Sequence, residues 1–268
     1  MPAAQEHCSQ TITVLTELCL TAPMTTTTET TGRAQGVRAL ARAQMRTEIL
    51  DVAREHLAAQ GAGGLSLRAV ARDLGMASSA VYRYFENRDV LLTALIIDAY
   101  DALGAAVEEA EGAVPRDDLH GRWEQIAGTV RAWALEHPSL YALVYGSPVP
   151  GYAAPQDTVE PATRVTRLLA TLLQDALTSG RASERLEGPV RGPVSPDAAE
   201  GLAPLVEFLG PGTTPEWAVR GLMAWTWLFG AVSFELFGQL TGAVDPERRS
   251  QVFEAEVRAA GGWLGLTA

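Results

Sequence analysis

The chain has 268 residues, 47% of them hydrophobic, enough to bury a sizeable core in one or two domains. Its 32 acidic residues outnumber 21 basic ones, for a net charge of −11, which argues against non-specific coating of nucleic acid or an anionic membrane. Cys8 and Cys19 are the only cysteines; they supply neither a disulfide framework nor a metal-ligand spacing, and fit a reducing cytoplasm.

Residues 1–37 read as a disordered tail. Ile12–Leu20 is mildly apolar but lacks a basic flank, so a signal peptide is not expected, and Thr25–Thr31 is of low complexity. Met24 offers an alternative start. Met45, Ile49, Val52, Ala53 and Leu57 then recur at helical spacing, until the run Gly61-Ala62-Gly63-Gly64 breaks the pattern. Ser66 suits an N-cap. Leu67, Val70, Ala71 and Leu74 form one apolar stripe of about two turns, with Arg68 and Arg72 on the wet face. Gly75 ends this helix, since glycine enters the left-handed region without steric cost. Ser78 and Ser79 offer a second cap, Val81 and Phe85 point inward, and Ala80, Arg83 and Tyr84 point out with Tyr82 at the edge. Two short helices across a glycine turn, at about residues 66–85, form a helix-turn-helix reader for the major groove.

The spacing from the first helix through LSLRAVARDLGMASSAVYRYFENRDVLL, about Gln44 to Asp101, resembles the N-terminal domain of TetR-family transcriptional regulators. The resemblance implies a DNA-binding domain at 38–102. It implies that Ser66 and Arg68 begin the second helix beside phosphate and sometimes a base, and that Ser78, Ser79 and Ala80 begin the recognition helix. Tyr82 and Tyr84 then match aromatic positions whose hydroxyls reach the backbone, and Arg83 is a base reader between them. Arg88 stands where the family commonly has lysine, as a phosphate partner. Tyr84 and Phe85 have a second reading as core packing, and Arg72 as a solvated charge. Local charge supports a reader: from Arg33 to Asp89 nine arginines face six acids. The chain has no lysine, which coding bias explains better than guanine recognition.

From Arg88 to about Glu111 the pattern stays helical. Trp123, Ile126, Val130 and Trp133 mark a helix over about Asp117–His137, and Pro138 restarts a short one carrying Leu140, Leu143 and Val144. Ser147–Pro155 is a loop, and Val165, Leu168, Leu169, Leu172, Leu173 and Ala176 form a firm amphipathic helix. Gly188–Pro196 and Gly210–Pro215 read as connections around a short helix, Asp197–Leu209. Trp217–Leu240 is apolar nearly all round, with Gly221, Gly230 and Gly238 as points of close approach. Charges at Arg220 and Glu235 leave it too short to cross a bilayer, which takes about twenty apolar residues. Its second face therefore meets a ligand or another subunit. The final helix, with Phe253, Val257, Ala260 and Leu264, completes a four-helix homodimer interface. This part resembles a TetR subgroup named for a Trp-His-Gly motif, with Trp225, Phe229 and Gly230 standing there and Phe229 replacing the histidine.

The fold class is thus all-α: a three-helix reader, then a helical effector-binding and dimerisation domain over 103–268. Trp123, Trp133, Tyr141, Tyr145, Trp225 and Phe229 are the candidate walls of an effector pocket for a small apolar or aromatic molecule, each with a second reading as core. Glu235 is the charge that could orient such a ligand, or else an interface carboxylate. His7, His56, His120 and His137 show no ligand spacing, and no nucleophile motif or phosphate loop occurs, so neither an enzyme nor a cofactor is expected. The expectation is a cytoplasmic, homodimeric regulator binding a double-stranded operator, a repressor released by ligand, with no membrane partner. Two alternatives stand: a ligand-binding helical module without sequence-specific DNA binding, and a constitutive DNA-binding dimer without an effector.

Overall fold

Helix is the only regular structure among the described residues, 33–180 and 193–266 of a computed structural model, as the patterning requires. Both cysteines, the threonine run and most of the expected tail lie outside those residues. Helix begins at Arg33, ahead of the expected boundary at 38. The elements are α1 (Arg33–Gly64), α2 (Leu67–Asp73), α3 (Ser78–Val81), α4 (Arg88–Gly112), α5 (Leu119–Glu136), α6 (Pro138–Tyr145), α7 (Val159–Ala162), α8 (Arg164–Thr178), α9 (Pro196–Gly201), α10 (Ala203–Leu209), α11 (Pro215–Leu236) and α12 (Arg249–Trp263). Packing divides them into two units. One holds described residues up to 99 together with 139–158; the other holds 100–138 and 159–266. The sequence pattern does not reveal that 139–158 go with the reader.

In the first unit, α1 leaves helical geometry at Gly61 (φ 68°, ψ 174°), where a side chain would be strained. Its stripe is buried at Ile49, Ala53 and Leu57 and half-buried at Met45 and Val52. Val70 and Ala71 of α2, Val81 and Phe85, and Leu91, Leu92 and Leu95 of α4 complete the core. Each such large side chain contributes roughly 1.5–3 kcal/mol on burial. By length and composition α4 could cross a membrane, but half of its most apolar window is buried inside the protein.

In the second unit, α5 packs against α8, α11 and α12. Trp123 is fully buried and its Nε1 donates to the Val257 carbonyl at 2.8 Å, so the indole fills the core with its polar atom satisfied. At Gly221 a Cβ would stand 2.9 Å from Leu173 Cδ1, so glycine lets α11 close on α8; Gly230, by contrast, faces open space. The single helix expected over Asp197–Leu209 is two, joined at Leu202. The cause is Pro204, which donates no N–H and crowds the carbonyl four residues back. Along α11, Trp217, Ala218, Gly221, Ala224, Leu228 and Val232 are buried, while Thr226 and Phe234 on the opposite side are exposed.

Candidate nucleic-acid interface

The reader is built by its turn. After α2, Gly75 sits at φ +66°, and Met76 N donates to the Ala71 carbonyl at 2.8 Å, closing the helix end. Ser66 has the extended backbone of an N-cap (φ −141°, ψ 121°), but its side chain makes no capping bond. For α3 the cap is Ala77, not a serine: the chain is extended there (φ −63°, ψ 137°), and Ser78 and Ser79 occupy the first helical positions. Serine capping at 78–79, expected from composition, is therefore corrected. Neither hydroxyl caps the helix. Regular α-helix covers four residues only, after which Tyr84 N to Val81 O (2.9 Å) and Phe85 N to Val81 O (3.1 Å) continue the coil as tight turns.

Phe85 and Val81 are fully buried, which decides for core packing at Phe85. Ser79, Tyr82, Arg83 and Arg68 are exposed, Tyr82 at 43%, and Ser66, Ser78, Ala80 and Tyr84 are half-buried. Arg68 and Arg83 have no carboxylate ion partner among the described residues, so their charge faces outward. Arg88 differs. Its Nη2 donates to the Ala62 carbonyl at 2.7 Å and its Nη1 lies 3.5 Å from Asp89, so this half-buried guanidinium also braces the end of α1. Arg72 lies 3.2 Å from Asp73 with most of its side chain in solvent, as a surface charge. His56 Nε2 and Asp73 Oδ2 are 2.7 Å apart, linking α1 to α2. That hydrogen bond, with Arg72 adding, holds the Asp73 carboxyl below the usual carboxylate range.

Two further residues escaped the sequence reading. The Arg42 guanidinium lies 5.7 Å from the Tyr84 ring centre and Arg46 lies 4.4 Å from that of Phe85, so α1 brings two cations onto the recognition segment. The signal was present: Arg38, Arg42 and Arg46 recur every four residues, on one helical face.

The expected effector residues divide between the two units. Trp123 and Trp133 are core, and Trp133 meets His137 edge-on at 5.0 Å. Tyr141 is fully buried beside Tyr145 (ring centres 5.0 Å) and both belong to the first unit, whereas Trp225 and Phe229 meet at 6.5 Å in the second. Glu235 is not a free charge: Arg131 Nε and Nη2 reach its two oxygens at 2.6 and 2.7 Å. A cavity of about 330 Å³ in the first unit is bounded by Leu57, Ala62, Leu143, Ser147 and Val149, among others. A far smaller cleft lies between α11 and α12. Neither is walled by the residues expected from sequence.

Known proteins place this geometry. Residues 49–95 match the bacterial regulatory proteins of the tetR family, and residues 123–260 match the tetracyclin repressor-like C-terminal domain. The HTH-type transcriptional regulators Rv1816 of Mycobacterium tuberculosis and Mb1846 of Mycobacterium bovis are each 40% identical over 224 residues, 83% of this chain and 93% of theirs. The crystal structure of the regulatory protein SCO4313 superposes with a TM-score of 0.67 at 33% identity, over 87% of this chain and all of that one. The helix pair with its glycine turn and the helical domain that follows it in the chain both match one family: the chain belongs to the TetR family of helix-turn-helix transcriptional regulators.

Proposed function

We propose that this regulator is a ligand-responsive repressor that binds a roughly palindromic operator as a homodimer in the cytoplasm. One observation carries the reading: Arg68 and Arg83, in the same helix-turn-helix segment as Ser79 and Tyr82, stand exposed with no carboxylate partner among the described residues, as contact with a phosphate-lined groove requires. Ser66, Ser78, Ser79 and Tyr82 take backbone contacts, with Tyr84 at the margin. Ala80, Arg68 and Arg83 meet base edges. Arg88 acts by fixing α1. Two copies set their readers about 34–36 Å apart, one helical turn of DNA. Dimerisation is supported by exposed aromatic surface at the end of α11, with Phe234 and Phe237 exposed by 56% and 44%. A ligand in the helical domain favours a dimer with the wrong spacing, and shifts the equilibrium only by its differential affinity, about 1–3 kcal/mol.

The test is fluorescence anisotropy on fragments of the protein's own promoter region against scrambled duplexes, with sedimentation of the free protein. Preferential binding by a dimer is expected. A monomer, or equal affinity for all duplexes at low salt, overturns the reading.

A further inference from the structure

Two charges are buried in α11, and they are not equivalent. Glu235 is 7% exposed and fully engaged by Arg131. Arg220, near the other end of the helix, is 3% exposed and forms no ion pair among the described residues. Its Nη1 donates to the Trp263 carbonyl at 2.9 Å, its guanidinium lies 5.7 Å from the Trp217 ring centre, and its buried Nε has no acceptor. Burial pushes this guanidinium below the usual arginine range. The Trp263 carbonyl closes α12, and a helix end carries only about half a negative charge. About half of the cation is therefore uncompensated among the described residues, in surroundings where an unpaired charge is costly.

Arg220 also lines the cleft between α11 and α12. The remaining walls are Met223, Ala224, Trp227, Ala260, Trp263 and Leu264, all uncharged. The free space is about 10 Å³, room for one water. Trp263 is 41% exposed, and a ligand larger than a water has to displace its covered face from the cleft.

We propose that Arg220 is the anion-recognition residue for the effector, which is an apolar molecule ending in a carboxylate. The carboxylate meets the guanidinium fork, and the hydrocarbon or aromatic remainder lies over Trp227 and Trp263. A carboxylate fits better than a phosphate, whose additional oxygens would find no donors among these walls. The inference rests on the ligand-responsive reading and narrows its ligand from apolar to apolar and anionic.

The test uses the full-length protein with butyrate, octanoate, dodecanoate, benzoate and 3-phenylpropionate, each against its primary amide. Thermal melting and tryptophan fluorescence are the readouts. At least one acid is expected to raise Tm by about 5 °C at a hundredfold excess over Kd, while its amide does not, and Arg220→Gln weakens that acid at least about tenfold. Without ligand, Arg220→Met is expected to match or exceed the parent Tm, because no ion pair is lost. Stabilisation by amide equal to that by acid, no response to any acid, or acid binding untouched by Arg220→Gln overturns the inference. So does a marked fall in Tm for Arg220→Met, which would make the guanidinium a structural cap of α12. Removing residues 267–268 addresses the chain's own terminal carboxylate: a loss of Tm that Arg220→Gln abolishes would assign the counter-charge to it and sink the proposal. The two readings fail separately. Acids that bind without releasing operator leave this site standing and end ligand control, whereas amides that release operator do the reverse.

Discussion

Two arginines on the recognition face are used in the opposite way to those buried in the helical unit. In the helical unit arginine is locked inward: Arg122 is fully buried between Glu111 (2.5 Å) and Asp175 (2.7 Å), and Arg164 reaches Asp101 and Glu108. In the reader, Arg68 and Arg83 are exposed with no acidic neighbour. The difference follows from what each charge must meet. A cation closed inside protein needs a carboxylate to offset desolvation, whereas one intended for DNA must leave that partner to the phosphates. A chain of net charge −11 can bind a polyanion because its acids are spent elsewhere or kept off this face. Arg220 breaks the pattern, being buried with no carboxylate partner among the described residues.

The largest effect that would break the contrast is at Arg122. Arg122→Met leaves the buried Glu111 with only the more distant Arg116 (3.5 Å) and is expected to destabilise the fold by up to about 3–5 kcal/mol, read as a shift of the urea midpoint. Adding Glu111→Gln should recover part of that loss; strictly additive losses would mean the two side chains do not interact. Next, Arg83→Ala and Arg68→Ala should each weaken operator binding by about 1–3 kcal/mol and relax base preference, while changing unfolding by no more than about 0.5 kcal/mol. A stability loss as large as that of Arg122→Met would erase the distinction. A smaller effect is expected at Arg42: Arg42→Ala should flatten the plot of log affinity against log salt by about one unit, if α1 contributes a phosphate contact. An unchanged slope would confine its role to the Tyr84 ring.

The smallest is a pH effect. The folded Asp73 carboxyl is held below its usual value by His56. Its contribution to stability is present above the ordinary carboxylate range, near pH 4, and is lost as pH falls through the lowered folded-state value. Asp73→Asn should flatten the acid side of the Tm–pH profile below about pH 4. An identical profile would show that the His56–Asp73 contact carries no stability.

How far the sequence could be read depended on the kind of residue. Stripes such as Ile49-Ala53-Leu57 or Leu169-Leu172-Leu173-Ala176 announce their buried side, since apolar periodicity and burial have the same cause. Gly75 announced the turn. Ser78 and Ser79 misled, because both serines favour a cap and only the backbone at Ala77 decides which residue takes it. The aromatic residues were ambiguous for another reason: Trp123 in a core and Trp123 in a pocket leave the same spacing. Its bond to the Val257 carbonyl, 134 residues away, is what distinguishes them.

The order of residues by itself determined the helical class, the two-part plan and the glycine-turned reader, because these rest on local conformational preference and periodicity. Only the tertiary structure decided which charges are satisfied: that Glu235 is claimed by Arg131, that Arg88 turns back to α1, that Arg220 is left without a carboxylate. Those outcomes depend on groups far apart in the chain meeting at hydrogen-bond distance, and a one-dimensional pattern does not encode such meetings.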